Sequence, residues 1–146
     1  MTHNKIMSPT VINLKESEDI RDVVHRVVQS LAEGSIVGVP TESNYCFIAA
    51  GTCETAVEKA CALADDYHNE PKLTIAIKSC DEATDWVPDM QPLATRFARQ
   101  CWPGPLAMVL ADNHPDGLVQ QLPVFTQPYV LSDDRIRLRA PGHRML

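Results

Sequence analysis

The chain has 146 residues, of which 45% are hydrophobic and 22% charged, and its formal net charge is −6. This length is enough for one hydrophobic core, so we expect a single domain over residues 1–146. The acidic balance excludes long-range capture of a phosphate backbone, which needs clustered cations, and it predicts no DNA partner. Because no run approaches the roughly 18 apolar residues of a membrane span and no apolar leader follows Met1, we expect a cytoplasmic protein without membrane contact.

Five cysteines are present, and none belongs to the C-x-x-C pair that zinc and redox sites commonly use. They lie in apolar or helical contexts, at Cys46, Cys53, Cys61, Cys80 and Cys101. We therefore expect reduced core residues and no metal site.

The N-terminal part predicts a strand followed by an amphipathic helix. The strand is expected over Thr10 to Leu14, and Ser17 with the acidic residues after it supplies the start of the helix. Apolar residues then recur at the spacing of one helix face, and Gly34 is placed to end the helix. The apolar stripe consists of Ile20, Val23, Val24, Val27, Val28 and Leu31.

Short apolar runs in the rest of the chain alternate with amphipathic segments. The runs predict strands at Ser35–Val39, Tyr45–Ala50, Leu73–Ile77 and Leu106–Ala111. Helices are predicted over Cys53–Leu63, after a capping box at Ser79–Glu82, and over Pro92–Cys101. The segment Leu118–Leu131 suggests antiparallel additions. The alternation indicates an α/β fold with a twisted mixed sheet flanked by helices, in which one sheet contains both Ile36–Val39 and Leu106–Ala111.

Three segments occur in an order and spacing that resemble the YrdC/Sua5 family: Gly34–Tyr45, Cys101–Leu106 and Ile136–His143. The match runs from about Leu14 to the end of the chain. The resemblance implies a YrdC-like twisted mixed sheet with a concave pocket. It also implies a nucleotidyltransferase activity, since several members make threonylcarbamoyl adenylate from ATP, L-threonine and bicarbonate for tRNA modification. Some members were first described as binding double-stranded RNA.

The turn after the second predicted strand is the main candidate for a substrate site. Pro40 ends a buried strand, so the Thr41 hydroxyl and the Glu42 carboxylate emerge at a strand end, where open α/β sheets place ligands. Together with the resemblance, this predicts a substrate-binding group of Thr41, Glu42, Ser43 and Tyr45. The alternative is an ordinary turn whose polar groups satisfy backbone amides.

The C-terminal segment matches the family's Arg-x-Pro-x-His stretch, which implies that Arg139 and His143 lie near the nucleotide. Thr41, Tyr45 and Arg139 are expected to converge on one cavity. The bend Trp102–Pro105 is stiff and is expected to be architectural, with stacking of Trp102 on a base as the alternative.

Several departures from the family bear on catalysis. Ala64 and Asp66 stand where the family has a Lys-x-Arg clamp for the ATP phosphates, and Cys46 stands where it has Gly. The family's Ser-x-Asn motif is absent before Leu146, so we expect a domain that is incomplete at its C-terminal end. ATP and Mg²⁺ are thus implied by resemblance only; Asp65 and Asp66 either hold Mg²⁺ or form a solvated helix end.

Three functional hypotheses follow, and no catalytic residue is assigned. The first is a divergent domain that binds a nucleotide or a small carboxylate such as L-threonine with weak or absent adenylate synthesis. The second is an active synthase in which Lys72 or Lys78 replaces the missing cations in nucleotide binding. The third is a noncatalytic partner or RNA-binding module with a local RNA contact, in which the basic residues of the last strand share one face. These basic residues are Arg135, Arg137 and Arg139, together with Arg144.

Overall fold

The structure is a computed structural model, and it describes residues 8–66, 68–112 and 114–143. Its first regular element is helix α1 (Ile20–Ala32), which starts where the carboxylate of Asp19 accepts a hydrogen bond from the Arg21 amide at 2.9 Å. The helix ends before Gly34, whose φ of +79° is the left-handed conformation that favours glycine. The predicted helix and its glycine stop are confirmed. The start is later than predicted because the Ser17 hydroxyl donates to the Asn13 carbonyl in the preceding turn.

The predicted strand over Thr10 to Leu14 is wrong. The described residues before α1 form no strand, and Val11 is 86% exposed. A strand requires a hydrogen-bonded neighbour, and none lies beside this segment in the part of the chain that the structure describes.

Two strands after α1 form a separate hairpin sheet. Strands β1 (Val37–Pro40) and β2 (Tyr45–Ile48) run antiparallel, with Pro40 opposite Tyr45 and Val37 opposite Ile48. Residues 41–44 therefore form the turn that joins them. We call this unit the hairpin sheet.

The main sheet has four strands around β6 (Arg135–Arg139). Strand β6 pairs in parallel with β3 (Ile75–Ala76) and antiparallel with β4 (Met108–Ala111) and β5 (Leu131–Ser132). The mixed α/β architecture predicted from the sequence is confirmed. The side chains of Ile136 and Leu138 are completely buried on one face of β6, and its arginines alternate with them on the other face.

The prediction that one sheet would contain both Ile36–Val39 and Leu106–Ala111 is wrong. Strand β1 belongs to the hairpin sheet, and β4 belongs to the main sheet. Within the described ranges no strand ladder joins the two sheets. A cavity lies between them, and they meet through side chains and loop peptides.

The remaining helices cover the sheets. Helices α2 (Glu54–Leu63) and α4 (Pro92–Cys101) occur where the sequence predicts them, and α3 (Cys80–Trp86) packs with α4 into the core on the inner face of the main sheet. The capping box at α3 forms only in part. The Ser79 hydroxyl accepts from the Glu82 amide at 3.4 Å, but the Glu82 carboxylate accepts from the amide of Lys78.

The segment Leu118–Leu131 differs most from its prediction. It contains a 3₁₀ turn (Leu118–Gln121) and the short helix α5 (Gln127–Val130), and only its last residue enters an antiparallel strand. Pro123 and Pro128 lack the amide hydrogens that a strand ladder needs, which explains the difference. No helix among the described residues is long and apolar enough to cross a membrane.

Candidate functional site

The three segments that carry the family resemblance meet at one place in the structure. Glu42, in the turn of the hairpin sheet, accepts hydrogen bonds from Arg139 Nη2 at 2.5 Å and from the Gly142 amide at 2.7 Å. Gly104, in the bend after α4, donates its amide hydrogen to the Ala140 carbonyl at 2.8 Å. The carbonyl of Gly104 accepts from Arg139 Nε at 3.4 Å. Residues far apart in the sequence are therefore linked around the end of β6.

A cavity of about 630 Å³ opens beside this junction, between the two sheets. The hairpin sheet, α2 and the outer face of β3 and β6 supply its walls, which are mostly apolar. Charged side chains line it as well: the cations Lys72, Arg137 and Arg139 and the acid Asp65. A concave apolar site with a few polar groups of this kind is typical of small-molecule binding.

Thr41 lines the cavity, but its polar groups are engaged within the turn. The hydroxyl group donates to the Asn44 carbonyl at 2.7 Å and accepts from the amides of Asn44 at 3.1 Å and Ser43 at 3.3 Å. The side chain is 8% exposed. The ordinary-turn interpretation therefore describes the present bonding of Thr41.

Tyr45 does not converge on the cavity with Thr41 and Arg139, so that part of the geometric prediction is wrong. Its side chain is 78% exposed. The next three residues of β2, Cys46, Phe47 and Ile48, line the cavity instead. A side chain therefore lines the cavity where the family has Gly, and its closeness to a ligand stays a prediction. Ser43 is exposed and accepts a long hydrogen bond of 3.4 Å from Arg139 Nη2.

The Glu42–Arg139 pair dominates the electrostatics at this end of the cavity. Desolvation of Glu42 opposes ionisation, but hydrogen bonds from Arg139 and Gly142 and the positive charge of Arg139 hold the pKa of Glu42 below its usual value. Burial raises the pKa of the Cys46 thiol, with Arg139 opposing and Glu42 reinforcing the shift. Cys46 is therefore a neutral thiol near neutral pH.

Lys72, predicted to contact a nucleotide, lines the cavity together with Ala64 and Asp65. Its ammonium group lies 2.8 Å from the carboxylate of Asp66, which is 88% exposed. The hydrogen bond that Lys72 donates to Asp66 raises the pKa of Lys72, and the same contact lowers the pKa of Asp66. In the described ranges, no group of three His, Cys, Asp or Glu side chains is placed to hold a metal ion.

The arginines of β6 share one face, as the alternation predicts, and each has a partner within the protein. Arg135 donates to the Asn69 carbonyl at 2.6 Å, and Arg137 contacts the carboxylate of Glu70 at 2.7 Å. Arg144 lies outside the described residues. This pairing gives the RNA-binding hypothesis no support.

Two aromatic residues near the site have different roles. Trp102 is 6% exposed and donates from Nε1 to the Leu106 carbonyl at 2.6 Å, so its role is architectural and it is not available to stack on a base. Its bond to Pro103 is cis. Trp86 lines the cavity, and no sequence motif around it indicates a site residue. His143 is half-buried and is not among the residues that line the cavity.

Comparisons with known proteins give a consistent family and fold. The family model Sua5_yciO_yrdC, described as telomere recombination, matches residues 29–128. A double variant of P. abyssi Sua5 is similar over 93% of this chain and 38% of its own, with 24% identity and a TM-score of 0.70. P. abyssi Sua5 complexed with L-threonine is similar over 89% of this chain and 35% of its own, with 24% identity and a TM-score of 0.65.

E. coli YciO is similar over 88% of this chain and 57% of its own, with 17% identity and a TM-score of 0.70. The chain thus spans between about a third and three fifths of the length of these structures. No curated protein sequence matches it significantly. At these identities the solved structures establish a shared fold, and the family model covers more than half of the chain. The chain therefore belongs to the Sua5/YciO/YrdC family.

Proposed function

We propose that this domain binds a small carboxylate such as L-threonine, or a nucleotide, in the cavity between its two sheets, with weak or absent threonylcarbamoyl adenylate synthesis. The observation that carries the proposal is a cavity with mostly apolar walls and the guanidinium group of Arg139 in its lining. The cavity volume of about 630 Å³ lies within the usual range for ligand sites, roughly 300–1,000 Å³.

The chemistry of the walls fits a ligand with one anionic end and a compact apolar body. A guanidinium group pairs well with a carboxylate or a phosphate oxygen. Ile48, Val57 and Ile75 supply apolar surface elsewhere in the lining. The complex of P. abyssi Sua5 with L-threonine, which has the same fold, supports L-threonine as the first ligand to test.

The charges argue against efficient adenylation. Adenylyl transfer from ATP depends on cations that neutralise charge on the phosphates. Here Lys72 is paired with Asp66, Arg137 with Glu70 and Arg139 with Glu42. A triphosphate would have to displace these carboxylates and enter beside Asp65, which repels it.

Isothermal titration calorimetry with L-threonine, AMP and ATP tests the binding proposal. We expect Arg139→Gln to weaken binding of the best ligand by about tenfold or more, because a charge-assisted hydrogen bond contributes about 1.5–3 kcal/mol. Arg135→Gln is the matched control, since Arg135 lies on the same face of the same strand but does not line the cavity. We expect it to change affinity by less than about twofold, a shift of a few tenths of a kcal/mol.

Absence of binding by all three ligands to the folded wild-type protein would refute the proposal. An equal loss of affinity in the two arginine variants would indicate that the ligand binds outside the cavity. Urea unfolding of each variant establishes that it is folded before titration.

The second candidate function is threonylcarbamoyl adenylate synthesis for tRNA modification. The observation that favours it is that three cations, Lys72, Arg137 and Arg139, line one cavity. They would have to exchange their present carboxylate partners for phosphates. Pyrophosphate is released by adenylate synthesis but not by ligand binding, so an assay for threonine-dependent pyrophosphate release distinguishes the two functions.

A further inference from the structure

The guanidinium group expected to hold the ligand's anionic end is already bonded to a carboxylate of the protein itself. Arg139 Nη2 donates to Glu42 Oε1, and the side chains are 18% and 24% exposed, respectively. The Nε atom of Arg139 points to the carbonyl of Gly104 at 3.4 Å. A ligand carboxylate that approaches Arg139 therefore meets a guanidinium group in which two of the three nitrogens, Nη2 and Nε, are already hydrogen-bonded.

Glu42 can give up Arg139 without becoming an unpaired buried charge. Its other oxygen accepts from the Gly142 amide at 2.7 Å, so the side chain keeps one anchor when the arginine leaves. The side chain is also exposed enough for water to replace the lost bond. Exchange of one carboxylate for another at Arg139 is thus feasible at low cost.

Building on the proposed function, we infer that Glu42 is a specificity-determining residue that competes with the ligand carboxylate for Arg139. An intramolecular carboxylate acts at a high effective concentration, of millimolar order or more. An anion that contacts only the guanidinium group, such as acetate, cannot displace it. A carboxylate whose body also fills the apolar cavity gains the additional contacts it needs. The substrate class is therefore a carboxylate with a compact body, and bare anions are rejected.

A purely structural role for Glu42 is the competing explanation. No strand ladder joins the two sheets in the described residues, and Glu42 links the hairpin sheet to the end of β6. Another polar link runs from the Thr126 hydroxyl to the Gly51 carbonyl at 2.5 Å. If Glu42 only held the sheets together, removing its charge would loosen the cavity and weaken ligand binding.

The two roles predict opposite signs for Glu42→Gln. Glutamine keeps the size of the side chain and an oxygen that can accept from the Gly142 amide, but it loses the charge that holds Arg139. Competition predicts that L-threonine binds about tenfold more tightly to this variant, about 1.4 kcal/mol. It also predicts measurable acetate binding to the variant at concentrations where the wild-type protein shows none. Weaker or unchanged L-threonine binding overturns the inference.

Two further variants complete the titration series. Asp133→Asn is the matched control, because it removes a carboxylate from Arg135, which lies on the same strand as Arg139 but does not line the cavity, and its affinity should stay within about twofold of the wild type. Glu42→Asp keeps the charge but shortens the reach, and it provides the test if Glu42→Gln does not fold. Competition predicts tighter L-threonine binding to Glu42→Asp, whereas a structural role predicts weaker binding.

The results distinguish this inference from the proposed function. Binding by wild-type protein that depends on Arg139 but is unaffected by Glu42→Gln overturns the inference and leaves the proposed function intact. Binding seen only after Glu42→Gln refutes the proposed function, because the wild-type protein then binds none of the ligands, but it supports the competition of Glu42 for Arg139. Absence of binding in wild-type protein and every folded variant overturns both.

Discussion

At the scale of single residues, Asp112 is a buried carboxyl group whose charge is poorly compensated. Its side chain follows β4 and is 2% exposed, and neither carboxylate oxygen has a hydrogen-bond partner among the described residues. Burial raises the pKa of Asp112; the nearby amide and imidazole of His114 oppose this rise, and Asp134 adds to it. The folded state therefore holds the proton of the Asp112 carboxyl group more tightly than the unfolded chain does. This protonated group favours folding, and its contribution to stability is lost as pH rises through the folded-state pKa.

We predict that Asp112→Asn raises the free energy of unfolding at pH 7 by about 1–3 kcal/mol, because it removes a buried charge without a partner. The gain should shrink as pH falls toward the ordinary pKa of an aspartate, which urea unfolding at several pH values measures. Asp116→Asn is the control, since that side chain is 86% exposed and should change stability by less than about 0.5 kcal/mol. A loss of stability in Asp112→Asn at pH 7 would reveal a bond that requires the carboxylate.

The sequence allowed the place of the candidate site to be predicted better than the role of each residue in it. The turn at Thr41 and Glu42 does lie at the cavity, beside Arg139. The partner of Glu42 is 97 residues away in the sequence, so no local pattern indicates that Arg139 is already paired. The orientation of Tyr45 also depends on which face of β2 meets the cavity, and this is set by tertiary packing.

At the scale of elements, the bend after α4 is expected to control both stability and the site. A side chain at Gly104 would collide with the carbonyl oxygen of Cys101. Both peptide groups of Gly104 contact the end of β6, one at Ala140 and the other at Arg139. The bend therefore requires glycine. A change in its backbone position would also displace Arg139, the candidate anion contact.

We predict that Gly104→Ala lowers the free energy of unfolding by about 1–3 kcal/mol through local strain, and that it weakens carboxylate binding. Gly38→Ala is the matched control. A side chain there would lie 3.7 Å from the ring of Phe47, an ordinary contact, so we expect it to be neutral or slightly stabilising. Thermal unfolding and calorimetric titration of both variants measure these effects. Equal behaviour of the two would contradict a special role for the bend.

The elements that could be predicted are those that local physics determines. Helix α4 begins at Pro92, which has a backbone suited to a first helical turn, and the apolar periodicity of α1 predicted its length to within a few residues. Strands depend on distant partners. The apolar run at Thr10–Leu14 has no such partner among the described residues, and the segment after Leu118 folds into short turns around its prolines.

At the scale of the whole molecule, the placement of the two sheets was the largest gap between sequence and structure. The apolar character of Val37–Pro40 and Met108–Ala111 predicts two strands but carries no information on whether they share a ladder. Their separation creates the cavity. In the part of the chain that the structure describes, the polar links across it include the Glu42 contacts, the Ser43–Arg139 contact and the Thr126–Gly51 hydrogen bond. The function proposed for this domain therefore depends on a feature that strand prediction could not supply.

The same arrangement predicts that this chain does not form threonylcarbamoyl adenylate at a useful rate. The cavity cations Lys72, Arg137 and Arg139 already neutralise carboxylates, whereas loss of even one transition-state arginine in phosphoryl transfer can cost about a thousandfold. With ATP, L-threonine, bicarbonate and Mg²⁺, pyrophosphate release should not exceed that of a reaction without L-threonine, and robust threonine-dependent release would contradict this.

The double change Ala64→Lys with Asp66→Arg should strengthen ATP binding by about tenfold or more, because it adds two cations and frees Lys72 from Asp66. The same charge change on helix α1, which contributes no residue to the cavity lining, is made by Ala32→Lys with Asp22→Arg at two exposed positions. It should leave ATP affinity within about twofold, so that a gain specific to the first pair assigns the deficit to the missing cations beside the cavity.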